Sequence, residues 1–218
     1  MIDNDGGQMN EKPLLYKGQM VKAVLDDSKT ETRRVIDWQR LHKQAGLPFP
    51  TKCKLAHYSL IDQWGIDAGD GVLREVKCPY GDAGDQLWVR ETLHNDDGDW
   101  IYAADSTPLL SDEHKDWQQA NGHKGYIPSI HTFRWMSRID LLIKSIRVER
   151  VCDITEAGAK AEGVEAQHDP SYPPDTTYKF AFANLWQEIN GKPRADGTDI
   201  SWYANPFVWV IKFERIRP

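Results

Sequence analysis

The run Ser28-Lys29-Thr30-Glu31-Thr32-Arg33-Arg34 places an ammonium, several hydroxyls and two guanidiniums within a few residues, between a short helix and a strand. Side chains at such a boundary can converge on a ligand instead of a core. A hydroxyl beside an amine is the pairing that makes an activated nucleophile, and guanidiniums suit anions. One geometric condition applies. In a strand Thr30 and Thr32 share a face and Lys29 points away, so Lys29 and Thr32 meet only if Lys29 still belongs to the preceding turn.

A second concentration is His131-Thr132-Phe133-Arg134-Trp135. Arg33, Arg34, Arg134 and Arg138 could contact phosphates while Trp135 or Trp88 offers a ring face to a base, a combination suited to single strands or a flipped nucleotide. His131 could act as a general acid or a base contact, or as a hydrogen-bonded structural residue near a strand start.

The elements that must hold these groups follow from periodicity. Tyr16 to Asp27 carries Met20, Val21, Val24 and Leu25 at helical spacing, and Thr30 to Ile36 then turns β-like. Gly84-Asp85 turns into the strand Gln86 to Glu91, with Leu87 and Val89 on one face and Trp88 and Arg90 on the other. Ile139 to Val151 reads as one long bulged strand or two short ones, broken near Lys144-Ser145. Asp153 is expected to cap a helix with Glu156 as its capping-box partner, and Gly163 to end it, which makes Glu162 its last residue. A longer helix is expected from Thr176 as N-cap to Gly191, repeating Phe182, Leu185, Trp186 and Ile189. The closing strand, Pro206 to Ile216, is apolar on both faces at its start and therefore central.

Between these elements, residues 37–80 and 95–125 have weak periodicity and read as two insertions, and residues 1–11 read as a disordered lead. The expected architecture is a single domain over 12–218, α+β, built on a small curled mixed sheet or barrel with flanking helices.

Composition narrows the function classes. With 40% apolar and 28% charged residues in 218, this is an ordinary globular composition. The formal net charge of -6 argues against a bulk electrostatic binder of nucleic acid. The charge is unevenly placed, however. Lys29, Arg33, Arg34, Arg40, Lys43, Lys52 and Lys54 gather early, and Asp96, Asp97, Asp99, Asp105, Asp112, Glu113 and Asp116 crowd a later segment. Cys53, Cys78 and Cys152 form no CxxC pair, which fits a reducing cytoplasm. Cys53, His57 and Cys78 match no standard zinc spacing and lack an evident fourth ligand, so no metal or cofactor is expected. No apolar run reaches the roughly 18 residues of a membrane span, and the acidic start Met1-Ile2-Asp3-Asn4-Asp5 lacks the parts of a signal peptide.

Taken in order, several of these runs resemble a known family. Lys29-Thr30-x-Thr32 with its preceding helix, the Gly84-Asp85 turn, Asp153-Ile154-Thr155-Glu156 through Glu162-Gly163, and Trp209-Val210-Ile211-Lys212-Phe213 are similar to the ASCH domain of the PUA-like superfamily. The runs Cys78-Pro79-Tyr80-Gly81, Leu87-Trp88-Val89-Arg90-Glu91, Pro128-Ser129-Ile130-His131 and Asn205-Pro206-Phe207-Val208-Trp209-Val210 resemble the longer ASCH-like proteins of phages and prophages.

The resemblance implies a pseudo-barrel with a cleft beside its first helix, holding single-stranded nucleic acid or a modified nucleoside, in a phage- or prophage-encoded protein of the host cytoplasm. A bacterial branch of the family hydrolyses N(4)-acetylcytidine with a lysine, a threonine and a glutamate. By motif these fall on Lys29, Thr32 and Glu162, while Thr30, Arg33, Arg34, His131, Arg134 and Trp135 are candidate ligand contacts by their own chemistry. Two alternatives use the same residues: a non-catalytic RNA- or DNA-binding module, and a phage assembly or host-interaction scaffold.

Overall fold

The computed structural model describes residues 10–49, 52–58, 63–109, 125–168, 170 and 177–216. Its centre is a five-stranded mixed sheet formed by β1 (Glu11–Leu15), β2 (Glu31–Val35), β6 (Gln86–Arg90), β10 (Asp140–Arg150) and β11 (Phe207–Ile216), in the order β1-β6-β10-β11-β2. β1 and β6 are parallel, and the other neighbours are antiparallel. Glu11, counted in the expected lead, belongs to β1 and pairs with Gln86; residues 1–9 lie outside the described residues. β10 is one strand with a register shift between Ile143 and Ser145.

β11 is central because its sequence can be covered on both sides. Val208 and Val210 pack with Ile154, Phe182 and Trp186, while Trp209, Ile211 and Phe213 point into other core clusters. This alternation sorts β2 as well. Thr32 lies opposite Ile211 and Arg33 opposite Val210, so the two side chains leave the strand on different faces.

Helix α1 (Gly18–Leu25) buries Val21, Ala23 and Val24. Val21 and Val24, one turn apart, join Leu87, Leu141 and Phe213 of the sheet in a single core cluster, so the helix lies across the sheet's inner face. Helix α3 (Glu156–Ala161) is capped by Thr155, whose hydroxyl accepts from the Gly158 amide at 3.0 Å, and not by Asp153, which sits in a 3-10 turn over Val151–Asp153. Glu156 is therefore not part of a capping box. Its carboxylate instead accepts the Tyr178 and Lys179 amides at 2.9 and 3.0 Å, satisfying first-turn donors of helix α4 (Thr177–Asn190). Thr176, the expected cap of that helix, lies outside the described residues.

The stretch 37–80 contains α2 (Trp38–Gln44), capped by Asp37, and a three-stranded sheet of β3 (Lys54–Tyr58), β4 (Gln63–Asp67) and β5 (Arg74–Val76). The stretch read as irregular from Asn95 holds a hairpin of β7 (Leu93–Asp96) and β8 (Asp99–Tyr102), joined to β9 (Tyr126–Ile127). Its turn is Asp97-Gly98, with φ of 47° and 102°; two left-handed residues in succession match the twist of a tight hairpin.

β1 and β2 are opposite edges of the central sheet, yet Arg34 on β2 donates to the Leu15 carbonyl at the end of β1 at 2.8 Å. The sheet curls until its edges approach, and a side chain instead of a strand pairing spans the seam among the described residues.

Candidate functional site

A cavity of about 340 Å³ opens along that seam. It is lined by Tyr16 and Met20 from the β1–α1 side, Lys29 and Thr32 to Val35 from β2 and its lead-in, Glu162, Tyr80, and Phe182, Leu185, Trp186 and Ile189 from α4. Glu162, distant in sequence from Lys29 and Thr32, shares this space with them.

Backbone contacts explain the convergence. Lys29 precedes β2 and so escapes its alternation, as the geometry requires. Its amide donates to Ala23 at 2.8 Å, the Thr30 amide donates to Ala161 at 2.8 Å, and Lys29 and Glu162 form an isolated antiparallel bridge. The end of α3 thus occupies the free edge leading into β2. Gly163 makes this approach possible: it has φ +74°, and a Cβ there would lie 2.6 Å from Ala23 Cβ and 2.8 Å from Lys29 Cβ.

The Lys29 ammonium donates to a Glu162 carboxylate oxygen and, at 2.9 Å, to the Glu162 carbonyl. The second carboxylate oxygen accepts from Arg33 at 3.1 Å. Arg33 in turn meets Glu149 at 2.7 Å and Glu31 at 3.4 Å, and Arg147 holds both acids, at 3.3 and 2.9 Å. Lys29, Arg33 and Arg147 are thereby matched by Glu162, Glu149 and Glu31 in one chain of ion pairs.

Burial lowers the pKa of Lys29 from its ordinary value, aided by the charges of Arg34 and Arg33 and opposed by Glu162. Thr32 is 3% exposed and Glu162 5%. The Tyr16 phenol, its pKa raised by burial against the pull of Arg34 and of neighbouring Thr32, has a buried hydroxyl with no hydrogen-bond partner of acceptable geometry among the described residues. Its ring centre lies 5.3 Å from Lys29 Nζ and 5.4 Å from the Arg34 guanidinium carbon.

The remaining expected contacts are not gathered here. Thr30 lines a separate groove of about 940 Å³ between α1, α3 and α4. His131 and Arg134 stand on 3-10 turns over Ser129–His131 and Arg134–Met136; His131 is exposed, and Arg134 is engaged by Glu11 at 2.8 Å and Asp140 at 2.9 Å. Trp135 packs against the cluster of Leu93, Trp100 and Met136. Trp88 is 9% exposed, with Arg90 and Arg134 over its ring.

The aromatic walls of the cavity are instead Tyr16, Tyr80, Phe182 and Trp186. Tyr80 lies in one of the recognisable runs, but nothing in its spacing announces a cavity. Phe182 and Trp186 carry the helical period of a core stripe, and that period cannot distinguish a core from a cavity wall.

Among the described residues no group of three or more His, Cys, Asp or Glu could hold a metal ion, and Cys53 stands 3.7 Å from His42. No helix there is long and apolar enough to cross a membrane.

No family model matches the chain, and no curated protein matches it. Among solved structures it is similar to the protein EF3133 from Enterococcus faecalis V583, described under the family model DUF984. The two share 10% identity over 96% of this chain and 77% of that one, with a TM-score of 0.41.

Proposed function

We propose that this protein is an ASCH-type amidohydrolase that removes the acyl group from an N-acylated nucleoside such as N(4)-acetylcytidine. The observation that carries this reading is the shared cavity of Lys29, Thr32 and Glu162, with Lys29 buried and shifted toward its neutral form. The sequence resemblance supplies the substrate class.

In the proposed reaction the Thr32 hydroxyl oxygen attacks the acyl carbon and its proton passes to Lys29 Nζ. Collapse of the tetrahedral adduct breaks the carbon–nitrogen bond, and Lys29 returns the proton to the departing exocyclic nitrogen. Water then attacks the threonyl ester with Lys29 as base, releasing the carboxylic acid and restoring Thr32. Glu162 fixes Lys29 through its carboxylate and its carbonyl, and Arg33 fixes Glu162. The Lys29 bonds found here run to Glu162, so one is exchanged for Thr32 as substrate seats.

A nucleic-acid strand is a weaker fit to the same residues. Of the four arginines expected to meet a phosphate backbone, Arg33, Arg134 and Arg138 are engaged by carboxylates, which leaves Arg34 alone. The test is release of acetate from N(4)-acetylcytidine by purified protein. Lys29→Ala and Thr32→Val are expected to slow it by about 10³-fold or more while the circular-dichroism spectrum stays unchanged. Wild-type rates in both variants would remove the mechanism.

A further inference from the structure

Arg34 differs from its neighbour Arg33 in one respect that bears on the ligand. Arg33 is met by three carboxylates, whereas Arg34 has no ion-pair partner among the described residues, and its Nε is buried without a hydrogen bond. Its contacts are the Leu15 carbonyl and the Tyr16 ring. Arg194, exposed at the same cavity, also has no ion-pair partner among the described residues. It is held at the start of a turn in which its amide donates to Thr198 at 3.0 Å and its carbonyl accepts from Gly197 at 2.9 Å. Asp196 of that turn directs a carboxylate oxygen to the Thr198 amide at 2.9 Å, and its pKa is lowered by the bonds to Thr198 and, to a smaller extent, by the charge of Arg194.

Tyr80 lines the same cavity as both arginines, and their charges, with that of Arg40, oppose the rise that burial causes in its pKa. Lys17, the other cation of the lining outside the ion-pair chain, is met by Glu188 at 3.2 Å. Glu162 is the sole acid among the described lining residues, and both its oxygens are engaged. A chain of net charge -6 therefore keeps on one small cavity two guanidiniums with no ion pair among the described residues, and the buried Nε of Arg34 has no hydrogen bond there.

The geometry points to an anion subsite made by Arg34 and Arg194 beside Tyr80, and to a nucleoside monophosphate, in place of the free nucleoside, as the ligand of this cavity. The identity of the base rests on the hydrolase reading; the anion does not. At about 340 Å³ the cavity lies at the small end of ligand pockets, which suits one nucleotide better than a strand. Guanidiniums present planar donor pairs to phosphate oxygens, and partly buried ones are screened little by salt.

Calorimetric titration of the wild-type protein with cytidine 5′-monophosphate and with cytidine tests this without turnover. The nucleotide is expected to bind at least about 10-fold more tightly, and Arg194→Gln, a change at an exposed position, to cut that advantage to about 3-fold or less. Arg34→Gln is expected to cut it further. Equal binding of the two compounds, or no binding of either, overturns the subsite. A nucleotide preference without release of acetate from any acylated compound keeps the subsite and removes the hydrolase. Release of acetate at equal rates from N(4)-acetylcytidine and its 5′-monophosphate keeps the hydrolase and removes the subsite.

Discussion

Around Arg138 every charge is answered. Its guanidinium meets Glu91 at 2.9 and 3.1 Å and Asp105 at 3.0 Å, and lies 3.9 Å from the centre of the Tyr102 ring. Burial works against the charged form there, but the hydrogen bonds to Glu91 and Asp105 outweigh it, and the pKa of Arg138 rises. Even the Tyr102 phenol, pushed up to about 12 by burial, donates to the Met136 carbonyl at 3.0 Å.

Around Lys29 the balance falls the other way. Burial outweighs Glu162, the lysine pKa drops, and the phenol beside it has no hydrogen-bond partner of acceptable geometry among the described residues. Both clusters border the same sheet, and each holds a buried carboxylate, Glu91 in one and Glu162 in the other. Among the described residues the Lys29 cluster borders a cavity and is left incompletely satisfied, and that difference separates a structural ion cluster from a candidate reaction site.

The largest effect is expected at Arg138. Arg138→Ala leaves the 3%-exposed Glu91 without its cation and should cost about 3 kcal/mol in urea unfolding, with acetate release per folded molecule unchanged. A loss of turnover at full stability would place Arg138 in the site after all, and the two clusters would no longer differ in kind.

A smaller effect is expected at Gly163, where α3 meets Lys29. Gly163→Ala combines a left-handed backbone with contacts under 3.0 Å to Ala23 and Lys29, and should cost about 2 kcal/mol and reduce turnover by displacing Glu162. Gly197→Ala, at φ +81° with nothing within 4 Å of its Cβ, isolates the backbone part at about 1 kcal/mol. Equal costs at the two positions would mean that α3 yields freely.

The pH dependence distinguishes the clusters on a finer scale, about 1.4 kcal/mol per unit. Turnover should rise about tenfold per pH unit up to the folded pKa of Lys29, because only the neutral amine accepts the Thr32 proton. Stability carries the same sign. Between the lowered folded pKa and the ordinary lysine value the unfolded chain binds more protons, so stability contributed by this group rises with pH across that window. A flat profile in wild type, matching that of Lys29→Ala, would show that Lys29 does not titrate during the reaction.

Local chemistry alone made much of this legible. The amphipathic spacing of Val21 and Val24 marks α1, the apolar run Val208 to Ile211 marks a central strand, and Gly163 marks the end of α3, which makes Glu162 its C-cap. Each depends on periodicity or on a backbone preference that a few neighbouring residues reveal. The hairpin at Asp97-Gly98 was equally local, its turn residues being the signal, yet the weak alternation around it hid the strands.

Which charges face one another was settled in three dimensions. Arg33 and Arg34 are adjacent and alike in sequence, but pairing with Val210 sends one into the carboxylates of a buried network, and pairing with Trp209 sends the other across the seam. Likewise Arg134 and Trp135 resemble ligand contacts until Glu11 and Asp140 claim the one and the β7–β9 core the other. The amino-acid sequence set the residue types and their periods. The sheet's curl, which brings its two edges together, set the cavity and the partners, because the free energy of a buried charge depends on neighbours supplied from more than a hundred residues away.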